Sequence, residues 1–167
     1  MKENRQQALQ QRQNNIADFS FLKTFAAQEL DKAFALQEGK RLASSSPYRV
    51  YYCKETDGTQ SIFRFFPEES LSAYQASGNW LPLLGEKGLA VPEILAQGRY
   101  GKEHYLQLSY LPGTPLGEKY RELTPPEKHA LARQLVGLLA KVEEFPKGEH
   151  FGPSFGVGAS TWMEVQQ

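Results

Sequence analysis

The stretch from Tyr48 to Phe66, YRVYYCKETDGTQSIFRFF, constrains this chain more than any other, because it has few ways to fold except as a β-hairpin. Tyr, Val, Ile and Phe crowd both sides of Asp57-Gly58, and Asp-Gly between two such runs is the strongest short-range hairpin signal a sequence carries. Side chains alternate along a strand, so Ile62, Arg64 and Phe66 fall on one face of the returning arm and Phe63 and Phe65 on the other. Arg64 therefore sits among apolar neighbours. A cation so placed is either a surface residue that snorkels its charge to water or a charge kept for an anionic ligand.

The segments around the hairpin alternate between the two regular periods. Ser20 is a possible N-cap for an amphipathic helix whose apolar face holds Phe21, Leu22, Phe25, Ala26 and Leu30, expected to pack on the sheet. Ala33 to Glu38 reads as a first strand, followed by a loop from Gly39 through Ser44, Ser45 and Ser46. After the hairpin, Glu68 to Leu84 has helical spacing in Leu71, Tyr74 and Leu81, with Gly78 and Pro82 weakening its interior or marking a break. Val91 to Gln97 is an extended segment, Gly98 to Lys102 a turn, and His104 to Tyr110 another strand, which Leu111-Pro112-Gly113 ends. Thr124-Pro125-Pro126-Glu127 is a capping box with proline at the first helical position. Leu131, Leu135, Leu138, Leu139 and Val142 then form one stripe, expected to be core. Phe151 to Gly158 is Gly-rich but lacks both the Lys-Ser/Thr ending of a P-loop and a preceding apolar strand, so it reads as a connector.

Composition removes several function classes. Lys and Arg balance Asp and Glu at 19 each, so no global field draws the chain to nucleic acid or lipid. No run approaches eighteen consecutive apolar residues, and the opening fifteen residues hold five Gln and no apolar h-region, which marks them as a polar arm rather than a signal peptide. Cys53 is the single cysteine, which excludes an internal disulfide and suits the reducing cytoplasm. On a strand it reads as a buried, inert thiol. His104, His129 and His150 lack the spacing and the neighbouring carboxylates of a zinc site or a Ser-His-Asp triad.

The order of the pieces, with the strings FRFFP, NWLPLLGEKGLAVPEILAQG and LSYLPGTPL, resembles the N-terminal lobe of the aminoglycoside phosphotransferase and choline kinase family, relatives of the protein kinases. The resemblance runs over roughly Leu36 to Glu164. It implies an α+β fold: an antiparallel sheet of about five strands with flanking helices, then a hinge and the first helix of a helical lobe. The chain would divide into a polar arm (1–15), a kinase-like N-lobe (16–110), and the hinge with the start of the C-lobe (111–167). By the same resemblance ATP and magnesium are the cofactors, and Arg64 inherits the role of the third-strand cation that reaches the ATP phosphates. Gly39, Ser44, Ser45 and Ser46 would lie in the loop over those phosphates, and the backbone of Ser109, Tyr110 and Leu111 at the adenine edge.

Two departures from the family pattern stand out. The helix glutamate that pairs with the third-strand cation in protein kinases would fall near Ser77, and no carboxylate stands between Ser70 and Gly85. Relatives often close the later helix with a histidine, where this chain has Glu143, whereas Trp162 resembles an aromatic at the start of their next helix. More consequential is the chemistry. Phosphoryl transfer in this fold uses an Asp to accept the hydroxyl proton and an Asn and a second Asp to hold magnesium, yet this chain has no Asp after Asp57 and no Asn after Asn79. The expectation is the N-terminal portion of a small-molecule kinase that phosphorylates a hydroxyl, inactive alone, with a nucleotide and a separate C-terminal lobe or a second copy as partners. The alternatives are a lobe that binds a nucleotide or a protein without catalysis, a decayed remnant, or, from the first fifteen residues, a Gln-rich helical adaptor.

Overall fold

A computed structural model describes residues 18–30, 36–42 and 48–145 of the chain. The hairpin is its centre. Strands β2 (Arg49–Glu55) and β3 (Gln60–Phe66) pair antiparallel, so that residues equally far from Asp57 face each other, as Val50 and Arg64 do. Gly58 takes φ +90°, a left-handed conformation that a side chain would resist, and the Thr59 N–H donates to Asp57 Oδ1 at 2.8 Å. That bond also holds the Asp57 carboxyl below its ordinary pKa.

Five antiparallel strands form one sheet in the order β1-β2-β3-β5-β4, with β1 at Leu36–Arg41, β4 at Ile94–Tyr100 and β5 at Glu103–Ser109. Each face is covered by one helix. The helix through residues 18–29, α1, lays Leu22, Phe25 and Ala26 on the face that carries Tyr51, Cys53, Phe63, Phe65 and Tyr105. Phe25 is fully buried there, meeting Phe63, Phe65, Tyr100 and Tyr105 edge-on at centroid distances of 5.3, 5.0, 5.2 and 4.8 Å. Cys53 lies in this core, and burial pushes its thiol pKa up to about 12. The opposite face carries Ile62, Arg64, Phe66, Leu106 and Leu108, and helix α2 (Leu71–Glu86) rests on it through Ala73, Tyr74 and Leu81.

The structure moves several expected boundaries. Residues 18–20 are already helical, so Ser20 is no N-cap; its carbonyl accepts instead from Thr24 Oγ1. β1 runs on to Arg41, which places Gly39 inside a strand rather than in a phosphate loop. A Cβ on Gly39 would approach Leu22 Cδ1 to 2.8 Å, so this glycine lets α1 lie close to the sheet. α2 passes through Gly78 and Pro82 unbroken and ends where Gly88 turns to φ +70°. Gly78 is the residue whose carbonyl Pro82 would have engaged and against which its ring would press, and glycine gives the backbone most room to relax there. β4 likewise extends past Gln97 to Tyr100; Gly98 sits within it beneath the Tyr105 ring, and Gly101, at φ +60°, makes the turn.

Beyond β5 the chain leaves regular structure at Tyr110, passes a short helix α3 (Leu116–Lys119) and enters α4 (Pro125–Glu143). The Glu127 carboxylate accepts from both the N–H and the hydroxyl of Thr124 at 2.7 Å, which secures the start of α4 and lowers the Glu127 pKa. The α4 stripe is not the core that its spacing suggested. Leu135, Val136, Leu138, Leu139 and Val142 are exposed, while α4 makes contacts toward its two ends, where Lys128 Nζ lies over the Tyr120 ring, Lys141 Nζ donates to the Gly88 carbonyl and, just past the helix, Phe145 packs on Trp80. The polar arm (1–15), residues 33–35 of the expected first strand, Ser44 to Ser46, the Gly-rich segment 151–158, His150 and Trp162 lie outside the described residues.

Candidate functional site at the Arg64 face

Arg64 occupies the middle of β3, the central strand of the sheet, opposite Val50 on one side and Leu106 on the other. Its face is the α2 face, as strand alternation required. The guanidinium is partly buried, 4.4 Å from the centroid of the Tyr48 ring and 4.8 Å from that of Phe66. Burial lowers its pKa, and the neighbouring Tyr48 works the other way. Among the described residues no carboxylate lies within ion-pairing distance of it. α2 carries none before Glu86, and at the position nearest the family glutamate Ser77 turns its hydroxyl onto the Ala73 carbonyl of its own helix, at 2.8 Å.

A second arginine shows what a compensated cation looks like in the same sheet. Arg49, on the α1 face, lies over the rings of Phe21 and Phe65 and is ion-paired through its guanidinium to Glu103. Burial works against its charge, but the hydrogen bond to Glu103 and the field of Tyr51 hold its pKa above the ordinary value. Arg49 is a structural tie between β2 and β5. Among the described residues Arg64 has a similar aromatic setting and no such anion.

The expected adenine-side residues divide between the two faces. Ser109 stands opposite Ser61, on the α1 side, and its hydroxyl accepts from the Glu93 N–H at 2.9 Å while its own N–H donates to the Glu93 carbonyl. Its side chain is not brought to Arg64. Tyr110, the next residue, packs its ring on Tyr52 at 5.3 Å, and Tyr52 faces Ile62 on the Arg64 side of the sheet. Leu111 follows, half exposed, in the irregular stretch before Pro112-Gly113. Tyr48 and Tyr52 were not singled out as site residues from the sequence. Their signal was there, since an antiparallel register centred on Asp57 sets Tyr48 in line with Phe66 and Tyr52 opposite Ile62.

A model of the phosphotransferase enzyme family matches residues 38–162. The chain belongs to that family. Its fold is that of a kinase-like N-lobe. A crystal structure assigned as a fructosamine-3-kinase from Haemophilus somnus superposes with a TM-score of 0.55 at 13% identity, covering 86% of this chain and 48% of that one. At that identity the likeness concerns the fold alone, and the chain spans about half the length of that structure. No curated protein matches the chain.

For a member of the phosphotransferase family the donor set is instructive. Among the described residues Arg64 is a partly buried cation with no carboxylate within ion-pairing distance. Among the described residues no three His, Cys, Asp or Glu side chains gather to hold a metal, so those residues do not fit a magnesium ion, and the sequence offers no Asp beyond Asp57. Among the same residues no helix is long and apolar enough to cross a membrane.

Proposed function

We propose that this phosphotransferase lobe holds a nucleotide by its phosphates through Arg64, as the ATP-binding portion of a kinase for a small-molecule hydroxyl. One observation carries the reading: the Arg64 guanidinium is partly buried with its pKa lowered by desolvation, and no carboxylate among the described residues answers it. An uncompensated cation in such a place costs stability unless a ligand brings the anion. A polyphosphate brings charge and paired acceptor oxygens that match a guanidinium's fork. The base would lie toward Tyr110 and Leu111, against the Tyr52–Tyr110 edge, with the Ser44 to Ser46 loop on the phosphate side by its place in the family. The single cysteine suits the cytoplasm.

Binding and transfer separate in this reading. The Asp that accepts the hydroxyl proton and the Asn and Asp that hold magnesium in this fold lie beyond the hinge, where these 167 residues have neither Asp nor Asn, so in this reading the chain by itself binds nucleotide without transferring a phosphoryl group. Titration calorimetry of the 167-residue protein with ATP, with and without magnesium, tests this. Arg64→Leu is expected to weaken ATP binding about tenfold or more, the scale of a hydrogen bond to a charged group. Equal affinity in the two proteins, or no heat at millimolar ATP, would refute it.

The exposed row on α4 favours a second reading, a lobe whose partner is a protein, either a complementary C-terminal lobe or a second copy. Sedimentation velocity discriminates the second copy: a monomer at all concentrations removes it, and association that Leu139→Lys abolishes supports it.

A further inference from the structure

We infer that Tyr48, seated on Phe66, is the positioning residue for Arg64: two aromatic rings take the place that a carboxylate on α2 would fill. The inference rests on the phosphate-binding reading above. The Tyr48 and Phe66 rings lie 4.9 Å apart, tilted by 43°, and both come within reach of the guanidinium, at 4.4 and 4.8 Å. Phe66 is fully buried and is held in turn by Tyr74 of α2 at 5.7 Å, on which His104 stacks at 4.8 Å. Arg64 is thus tied to α2 through a row of rings rather than through an ion pair.

The substitution has a chemical consequence. A ring attracts a cation through its quadrupole without neutralising it. A carboxylate would both fix the guanidinium and compete with an incoming phosphate for its N–H groups. Rings restrict the side chain without occupying its N–H donors, and among the described residues no carboxylate takes them.

Two readouts test this, one in the free protein and one with ligand. In the nuclear magnetic resonance spectrum of the free 167-residue protein, the Arg64 Nε–H proton is expected to be shifted upfield by the rings, to stay so in Tyr48→Phe, and to return toward the unfolded position in Tyr48→Leu. With ATP as the probe, Tyr48→Leu is expected to bind about five- to tenfold more weakly, the range of a partly desolvated cation–ring contact, and Tyr48→Phe about as tightly as the wild type. Adenosine, which lacks phosphates, should bind all three alike. If Arg64→Leu leaves ATP binding unchanged, the phosphate reading fails and this inference falls with it. If Arg64→Leu weakens binding but Tyr48→Leu does not, the positioning role alone is overturned. Should Tyr48→Leu fail to fold, the Arg64 resonance in the wild type and in Tyr48→Phe decides: an unshifted proton in either overturns the inference.

Discussion

Arg49 and Arg64 stand one rung apart on the same hairpin ladder and point to opposite faces of the sheet, Arg49 opposite Phe65 and Arg64 opposite Val50. Both guanidiniums lie over aromatic rings, yet among the described residues only Arg49 has a carboxylate. Since the two share a strand pair, the difference comes from what the neighbouring elements supply. β5 presents Glu103 on the α1 face, whereas α2 brings no acid to the other. Arg49 therefore ties β2 to β5, while among the described residues Arg64 meets aromatic rings and no acid.

Arg64→Leu should separate binding from stability. Removing a partly buried cation that no carboxylate answers among the described residues relieves desolvation and forfeits the contact with Tyr48, two terms that oppose each other. The melting temperature is expected to stay within a few degrees of the wild type, or to rise, while ATP affinity falls. A clear loss of melting temperature would show that Arg64 serves the fold.

Glu103→Ala should do the reverse. It strands the Arg49 guanidinium, whose side chain is 30% exposed, without its partner, and is expected to cost about 1–3 kcal/mol. Urea denaturation measures it, and ATP binding should be unaffected. The double variant Arg49→Met/Glu103→Ala should recover part of the loss, because the buried charge is gone.

The Cys53 thiol should be silent toward Ellman's reagent at pH 8 in the folded protein and react fully in denaturant, since burial pushes its pKa up to about 12. The sign for stability follows. An unfolded thiol ionises near pH 8.5, so from there upward the unfolded state loses a proton that the native state keeps, and stability falls as pH rises toward 12. Below about pH 8 this group contributes no pH dependence. Cys53→Ser, compared with the wild type between pH 8 and 10, should lack that slope.

Gly98→Ala should destabilise β4 through sterics alone. The added methyl carbon would lie 2.9 Å from Tyr105 Cε1 and Oη, and the Tyr105 ring is 4% exposed with Phe25 against it. Overpacking of this kind costs about 1–3 kcal/mol, read as a lower midpoint in thermal unfolding. Gly101→Ala, with nothing within 4 Å of its new carbon but φ at +60°, should cost less, about 1 kcal/mol, through backbone strain.

Much of the fold was legible because it is written in short periods. The hairpin, its Asp57-Gly58 turn, the face Arg64 shares with Ile62 and Phe66, the α1 stripe and the Thr124–Glu127 cap are all decided within a few residues of one another, where alternation and capping act. Where local signals were weak they left alternatives open or misled: Gly78 and Pro82 allowed either a weakened helix or a break, and α2 runs through both because packing on the sheet outweighs a propensity cost of about 1–3 kcal/mol, while Gly98 read as a turn but lies inside β4.

The sequence by itself determined which residues share a face and that a cation lies among apolar side chains on the central hairpin. Only the tertiary structure decided what stands around that cation. Whether Arg64 meets an acid, a ring or water depends on where β5 and α2 come to rest, and those contacts join residues far apart in the chain. The α4 row makes the same point from the other side: its spacing specifies an apolar face, but burial of that face requires a surface to cover it, and no periodicity supplies one.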